Sequence, residues 1–214
     1  KFLSALLLCC MVLTLLPTAA LADGAVAIDD TNFPDNDFRE YVRNNFDKDK
    51  DDVLSDGEIA AVTIISVTNP STTSLKGIEY FTNLESLRAG GLNLTTLDLS
   101  KNTELTFIDC SNTKLTSLDT SHNEKLRTLT CNETPTLTSL NVRGNTELRF
   151  LYCKRNALTD LDLTNNLKLE KLECGGNEFT TLDLSKNTNL EYFGFVNSKL
   201  SSLDLTNNTN LEEL

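Results

Sequence analysis

The chain has 214 residues, 39% of them hydrophobic, and carries a formal net charge of −12 at neutral pH. That length and apolar content suffice for a sizeable core, while the acidity excludes polyanionic partners such as nucleic acid and anionic lipid. With no Trp and one His, it is poorly supplied for catalysis.

Residues 1–22 read as an export signal. Lys1 precedes an apolar run from Ala5 to Leu16, and Ala20-Leu21-Ala22 supplies the small residues that a signal peptidase accepts. The run is shorter than the roughly 20 residues that span a bilayer, which argues against an uncleaved anchor. The mature chain is expected to begin at Asp23, with no membrane insertion and a secreted or cell-surface location. Without Lys1 the balance is 18 basic to 31 acidic residues, and Asp23 to Glu58 alone holds 12 acidic against 4 basic ones. An ionic partner of this segment should be a cation.

Within it, Asp47 to Glu58 fits the 12-residue EF-hand loop. Asp47, Asp49, Asp51 and Ser55 stand at the oxygen-bearing positions, Val53 at the carbonyl position and Glu58 at the last. These six residues are the expected ligands of a structural Ca2+. Asp52 departs from the pattern, since the sharp turn there favours Gly and Asp tolerates positive φ at roughly 1 kcal/mol. The alternative reading is a solvated acidic turn between two helices. Phe38, Tyr41, Val42 and Phe46 form the apolar stripe of an entering helix, capped by Asp35 or Asn36, and Ile59 and Val62 begin an exiting one. Thr63 to Val67 reads as a first strand, followed by a loop from Asn69 to Ser74.

From Leu84 onward one phrase repeats. Its first apolar residues fall at 84, 94, 105, 115, 126, 137, 148, 158, 169, 179, 190, 200 and 211, in steps of 10 or 11. Two flavours alternate, L-x-x-L-D-L-S-x-N-T, as in Leu182 to Thr188, and L-x-x-L-x-C-x-x-N as at 169–177, so the full unit is 21 residues, stretched to 22 where Pro135 enters. Such a period marks a solenoid whose units bury their apolar faces only on one another. An 11-residue step also suits a supercoiled helix. Leu97 and Leu99, two apart, share a side of a strand but not of a helix, and the Thr, Ser, Asn and Asp between them favour turns.

This nested pattern over 84–214 resembles the bacterial secreted or surface leucine-rich repeat class of IRREKO-like kind. Phe33-Pro34-Asp35 before the acidic loop is similar to the amino-terminal cap of such proteins. A dockerin carries two such loops, and one is present. The resemblance implies a mainly β solenoid, a right-handed superhelix of 21-residue coils with two parallel sheets, closed by a small α-helical cap at 23–83. Such a cap shields the leucines and unpaired edges of the first coil. The chain stops at Leu214 just after a new phrase begins, and is expected to continue.

Register turns each position into a column. Asn102, Asn123, Asn145, Asn166, Asn187 and Asn208 are expected to bond the backbone at the bends of their own coil and the next. Cys110, Cys131, Cys153 and Cys174 recur 21, 22 and 21 residues apart with parallel Cβ vectors, and are read as free buried thiols. Asp98, Asp119, Asn141, Asp162, Asp183 and Asp204 face outward, either as a solvated face or as a ligand surface. The opposite column varies, as Arg88, Asp109, Thr130, Tyr152, Glu173 and Gly194. Tyr152 with Arg149 and Arg155, together with Arg88, form the candidate binding residues, because Tyr and Arg anchor interfaces. No G-x-S-x-G, H-E-x-x-H or phosphate loop occurs, and His122 stands alone. The expectation is a non-catalytic module that binds a protein or glycan, with a passive spacer as the alternative.

Overall fold

The computed structural model describes residues 24–212. The export signal at 1–22 therefore lies outside the described residues. The chain begins with β1 (Val26–Ala27), α1 (Asn36–Asn45), β2 (Val53–Leu54) and α2 (Asp56–Ala61). Asp35 starts α1 by accepting the N–H of Phe38 at 3.0 Å. Helical spacing then buries Phe38 and Val42, with Tyr41 and Phe46 packed against them. Ser55 and Glu58 start α2 with a reciprocal capping box. β1 and β2 pair antiparallel.

The array follows with β3 (Ile64–Ser66), β4 (Ser86–Arg88), β5 (Phe107–Asp109), β6 (Ser117–Asp119), β7 (Thr128–Thr130), β8 (Ser139–Asn141), β9 (Phe150–Tyr152), β10 (Lys171–Glu173) and β11 (Tyr192–Gly194). Seven of these form one sheet in the order β11-β10-β9-β7-β5-β4-β3. Every neighbour in it is parallel and in register. Its central residues, Ile65, Leu87, Ile108, Leu129, Leu151, Leu172 and Phe193, are all 0% exposed. Two residues on, Ala89, the four cysteines and Phe195 form the next column, and all four thiols are free and buried. Burial pushes the thiols upward, that of Cys174 to about 12, which suits an inert apolar filling.

The second sheet is smaller than the pattern suggests, since only β6 and β8 pair in it. Like charges in register weaken a ladder. Pairing occurs where the outward column changes from Asp to Asn, and there the Asn141 amide donates to Asp119 Oδ1 at 3.0 Å.

The Asn ladder also differs in direction. Asn123 Nδ2 donates to Leu99 O and Asn102 O at 3.0 and 2.8 Å, and Asn166 Nδ2 donates to Val142 O and Asn145 O at 3.0 and 2.9 Å. Each amide thus ties its bend to the preceding coil. The second column splits its bonds, with Asn156 and Asn177 reaching both their own and the preceding coil.

Cap and array share one core. Phe33 lies 6.0 Å from Phe38, 5.8 Å from Tyr80 and 6.4 Å from Phe81, and Phe46 closes on Phe81 at 5.3 Å. Gly77, at φ 104°, turns under the Phe33 ring, where a Cβ would sit 2.2 Å from Cδ1. Asp35 clasps the two parts. Its Oδ2 accepts from Thr73 N–H at 2.8 Å, Thr73 Oγ1 at 2.9 Å and Ser74 N–H at 3.2 Å. Burial alone raises this carboxyl, but these donors and Phe38 N–H outweigh it and hold it below its ordinary value.

Two stability measurements follow from these bonds. Asp35→Asn keeps the helix cap but turns an amide towards three donors, so denaturant unfolding should show a loss of about 1 kcal/mol, and Asp35→Ala about 2 kcal/mol. Asn166→Ala leaves two buried carbonyls without a donor and should cost about 2 kcal/mol. Its exposed neighbour Asn165→Ala should cost under about 0.5 kcal/mol, and equal losses at 165 and 166 would contradict the ladder.

Candidate functional site

Two places carry chemistry, the acidic loop of the cap and the outer face of the seven-stranded sheet. In the loop, Asp47, Asp49 and Glu58 each bring a carboxylate oxygen within 4.8 Å of the others. Asp47 is buried and accepts the N–H groups of Lys50, Asp51 and Asp52 at 2.7, 3.3 and 3.1 Å, which curls the chain around it. Glu58 reaches back across the loop, where Oε1 accepts Lys48 N–H at 2.6 Å and Oε2 accepts Ser55 N–H at 2.9 Å. The Lys48 N–H above all holds the Glu58 carboxyl below its ordinary value. Asp49 moves the other way, raised by loss of water and then by the charges of Asp51, Glu58 and Asp47.

The remaining expected ligands stand outside this trio. The Asp51 carboxylate accepts Val53 N–H at 2.9 Å, the Ser55 hydroxyl donates to Glu58, and Val53 belongs to β2. Asp52 takes positive φ, 62°, as the turn requires. Its side chain leaves the loop and accepts from Arg43 Nε at 2.5 Å, so its extra charge is met outside.

On the sheet, residues on either side of each buried central one face outward. One column is Arg88, Asp109, Thr130, Tyr152, Glu173 and Gly194. The other is Ser86, Phe107, Thr128, Phe150, Lys171 and Tyr192. Four half-buried aromatic rings thus lie on one face. Lys171 Nζ bridges two of them, 5.5 Å from the Tyr152 centroid and 4.1 Å from that of Tyr192.

The candidate binding residues fall on or beside this face but not in one cluster. Arg149 and Arg155 flank the two ends of β9, each held by an acid of an adjacent coil, Glu170 at 2.6 Å and Glu133 at 2.9 Å. Arg88 stacks at 5.7 Å on Phe107. Three strand steps separate it from Tyr152, roughly 14 Å at the usual spacing. Reading one outward column missed Phe107, Phe150 and Tyr192, whose signal was the alternation that sends both neighbours of a buried residue to the same side.

The opposite flank is spent on itself. Asp98, Asp162, Asp183 and Asp204 accept the N–H of the residue two positions on, at 2.9, 3.0, 2.9 and 2.9 Å. Backbone or hydroxyl donors of Ser100, Thr164, Ser185 and Thr206 hold these carboxyls below the ordinary range. They are turn-formers, which favours the solvated reading of that column.

Among the described residues no helix is long and apolar enough to cross a membrane. No family model matches the chain. Internalin J of Listeria monocytogenes is 38% identical over 71 residues, which is 33% of this chain and 8% of that protein. The structure of its functional domain, which includes a cysteine ladder, is 30% identical over 87% of this chain and 51% of that one, with a TM-score of 0.49. An internalin (inlF) from the same species is 26% identical over 90% of this chain and 65% of that one, at a TM-score of 0.63. Internalin C2, also from that species, is 23% identical over 90% of this chain and 97% of that one, at 0.61. The chain spans about half of the first of these structures and a small part of the whole internalin J protein. With its in-register coils and its likeness to the inlF and internalin C2 structures, the chain has a leucine-rich repeat solenoid fold.

Proposed function

We propose that the chain is a secreted or surface-displayed recognition module, non-catalytic, which binds a protein through the outer face of the seven-stranded sheet. The observation that carries this reading is the contrast between its two flanks. One repeats Asp and Ser or Thr from coil to coil and turns them into its own backbone. The other changes residue at every coil and leaves Phe107, Phe150, Tyr152 and Tyr192 half-exposed among cations. Clustered aromatic and Arg side chains are what interface cores use. The likeness to the internalin inlF structure, also a leucine-rich repeat solenoid, is in keeping with this reading.

In this proposal the Asp47–Glu58 loop holds a structural Ca2+. The donors are hard oxygens, and the loss of water and crowding of negative charge that raise Asp49 are what a divalent cation offsets. Asp47, Asp49 and Glu58 hold the ion directly, and the backbone N–H bonds of Asp47 fix the loop in the curled form. The ion stiffens the cap and does no chemistry.

Two measurements test these readings. Binding to a panel of purified extracellular proteins should select a partner whose affinity falls about tenfold or more in Phe150→Ala and Tyr152→Ala, and stays within about twofold in Asp183→Asn on the opposite flank. Silence across the panel favours the passive spacer. Calcium at a hundredfold excess over its Kd should stabilise the protein by about 2.7 kcal/mol, an increment that Asp47→Ala abolishes. A melting temperature indifferent to both calcium and chelator removes the metal.

A further inference from the structure

The far end of the sheet holds a recess of about 190 Å³ beside Tyr192, which it shares with the protein-binding face. We propose that it binds one acidic pyranose ring, of uronic or sialic acid type, at the end of a glycan, independently of the protein-binding reading.

Three glycines open it. Gly175 is demanded by packing, since a Cβ there would lie 2.3 Å from Val196 O. Gly194 is different. Its column carries Arg, Asp, Thr, Tyr and Glu in the preceding coils, and a Cβ on it would meet only the movable Tyr192 ring at 3.1 Å and the Glu173 side chain at 3.4 Å. Its missing side chain therefore leaves space rather than relieving the backbone. Gly176 lets the stem of Arg155 lie close across it, with Cγ 3.2 Å from where a Cβ would be. The volume lies below the roughly 300–1,000 Å³ of drug-sized sites, so it suits a single ring.

The lining is polar and cationic at one side and flat at the other. Glu173 is shared by Lys154 and Lys171, both at 3.1 Å, which leaves a positive surplus around one carboxylate. Arg155 spends one of its five donors on Glu133 and keeps the rest for a ligand. Among the charged residues that line the recess, Lys154 and Arg155 outnumber Glu173, in a chain whose net charge is −12. Opposite stand Tyr192 and Val196, the latter 77% exposed, a surface for the C–H face of a sugar. An acidic peptide side chain is thinner than a ring and leaves that wall bare.

Backbone conformation at Arg155 is a separate sign. The same bend is left-handed in every coil, with Gly91, Asn112, Gly176 and Asn197 there, residues that accept positive φ readily. Arg155 adopts φ 57° at that position, as does its pair Glu133 at 55°. The two long side chains at these bends meet in an ion pair at 2.9 Å, which holds the Arg155 stem in place beside the recess.

The test is titration of the protein with the methyl glycosides of N-acetylneuraminic acid and glucuronic acid, read by saturation-transfer NMR and calorimetry. Methyl galactoside and a Glu-containing peptide are the comparisons. One acidic sugar should bind in the millimolar range or tighter and about tenfold better than galactoside. Arg155→Asn should weaken it about tenfold while the melting temperature holds or rises, and Gly194→Ala, which fills the recess, should weaken it too. Equal binding of acidic and neutral sugars, binding of the peptide alone, no binding of any sugar, or acidic-sugar binding untouched by both substitutions would each overturn the site. Capture of a protein through Phe150 and Tyr152 is read separately, so either site can fail without the other.

Discussion

Stacking in register is the constraint on which everything else in this molecule rests. Each coil lies on the last at roughly 4.8 Å, so whatever a position holds must tolerate a copy of itself that close. Leucine, cysteine and asparagine tolerate it for different reasons. Leu87 through Phe193 bury one another completely. The Cys column packs as small, free, buried thiols while its vectors run parallel. The Asn column converts repetition into bonding, because each amide reaches the two carbonyls that the bend before it leaves open. A carboxylate has no such answer to its own copy. The Asp column therefore turns inward on local N–H groups, and the strands beneath it pair where Asn141 interrupts the charges.

The same constraint explains why so much of the fold was legible. Apolar residues two apart within a 21-residue period place the strands of the large sheet, as at Leu151 and Cys153, although Leu97–Leu99, Leu161–Leu163 and Leu182–Leu184 form none. Asp35 at the start of α1 and Ile64–Ser66 as the first strand of the sheet also lie where the sequence puts them. Illegible were the quantities that depend on neighbours rather than on spacing. Period alone gives both half-coils a strand, whereas among the described residues the second ladder forms between β6 and β8 alone. The direction of the Asn bonds depends on how far one coil leans over the previous one. Arg88 and Tyr152 share a column, yet a column says nothing of the three strand steps between them.

At the cap, the acidic loop takes its curled shape for a physical reason. A loop of alternating Asp residues curls because the first carboxylate collects N–H groups from the residues after it, and Asp47 does this with three. Glu58 must serve α2 as well as the loop, so one of its oxygens is bound into the capping box with Ser55. Asp52 accepts a conformation better suited to Gly and gains Arg43 in exchange, which links the loop to α1. The clasp from Asp35 to Thr73 was invisible in the sequence, since 38 residues separate its ends.

Columns also sort structure from function. Where a position is dictated by the coil beneath it, variation is costly and the residue repeats, as Asn does at the bend. Where side chains leave the stack, nothing enforces repetition, and a residue that varies there is free to answer to something outside the chain. The outer columns of the large sheet are of this second kind. Arg155 is sharper still, because it occupies a position that the fold would fill more easily with Gly or Asn, as it does in the adjacent coil with Gly176. The ion pair of Arg155 with Glu133, which holds the same bend one coil earlier, meets part of that strain, and a solenoid exposes it more plainly than a globular domain can, since every coil supplies its own control.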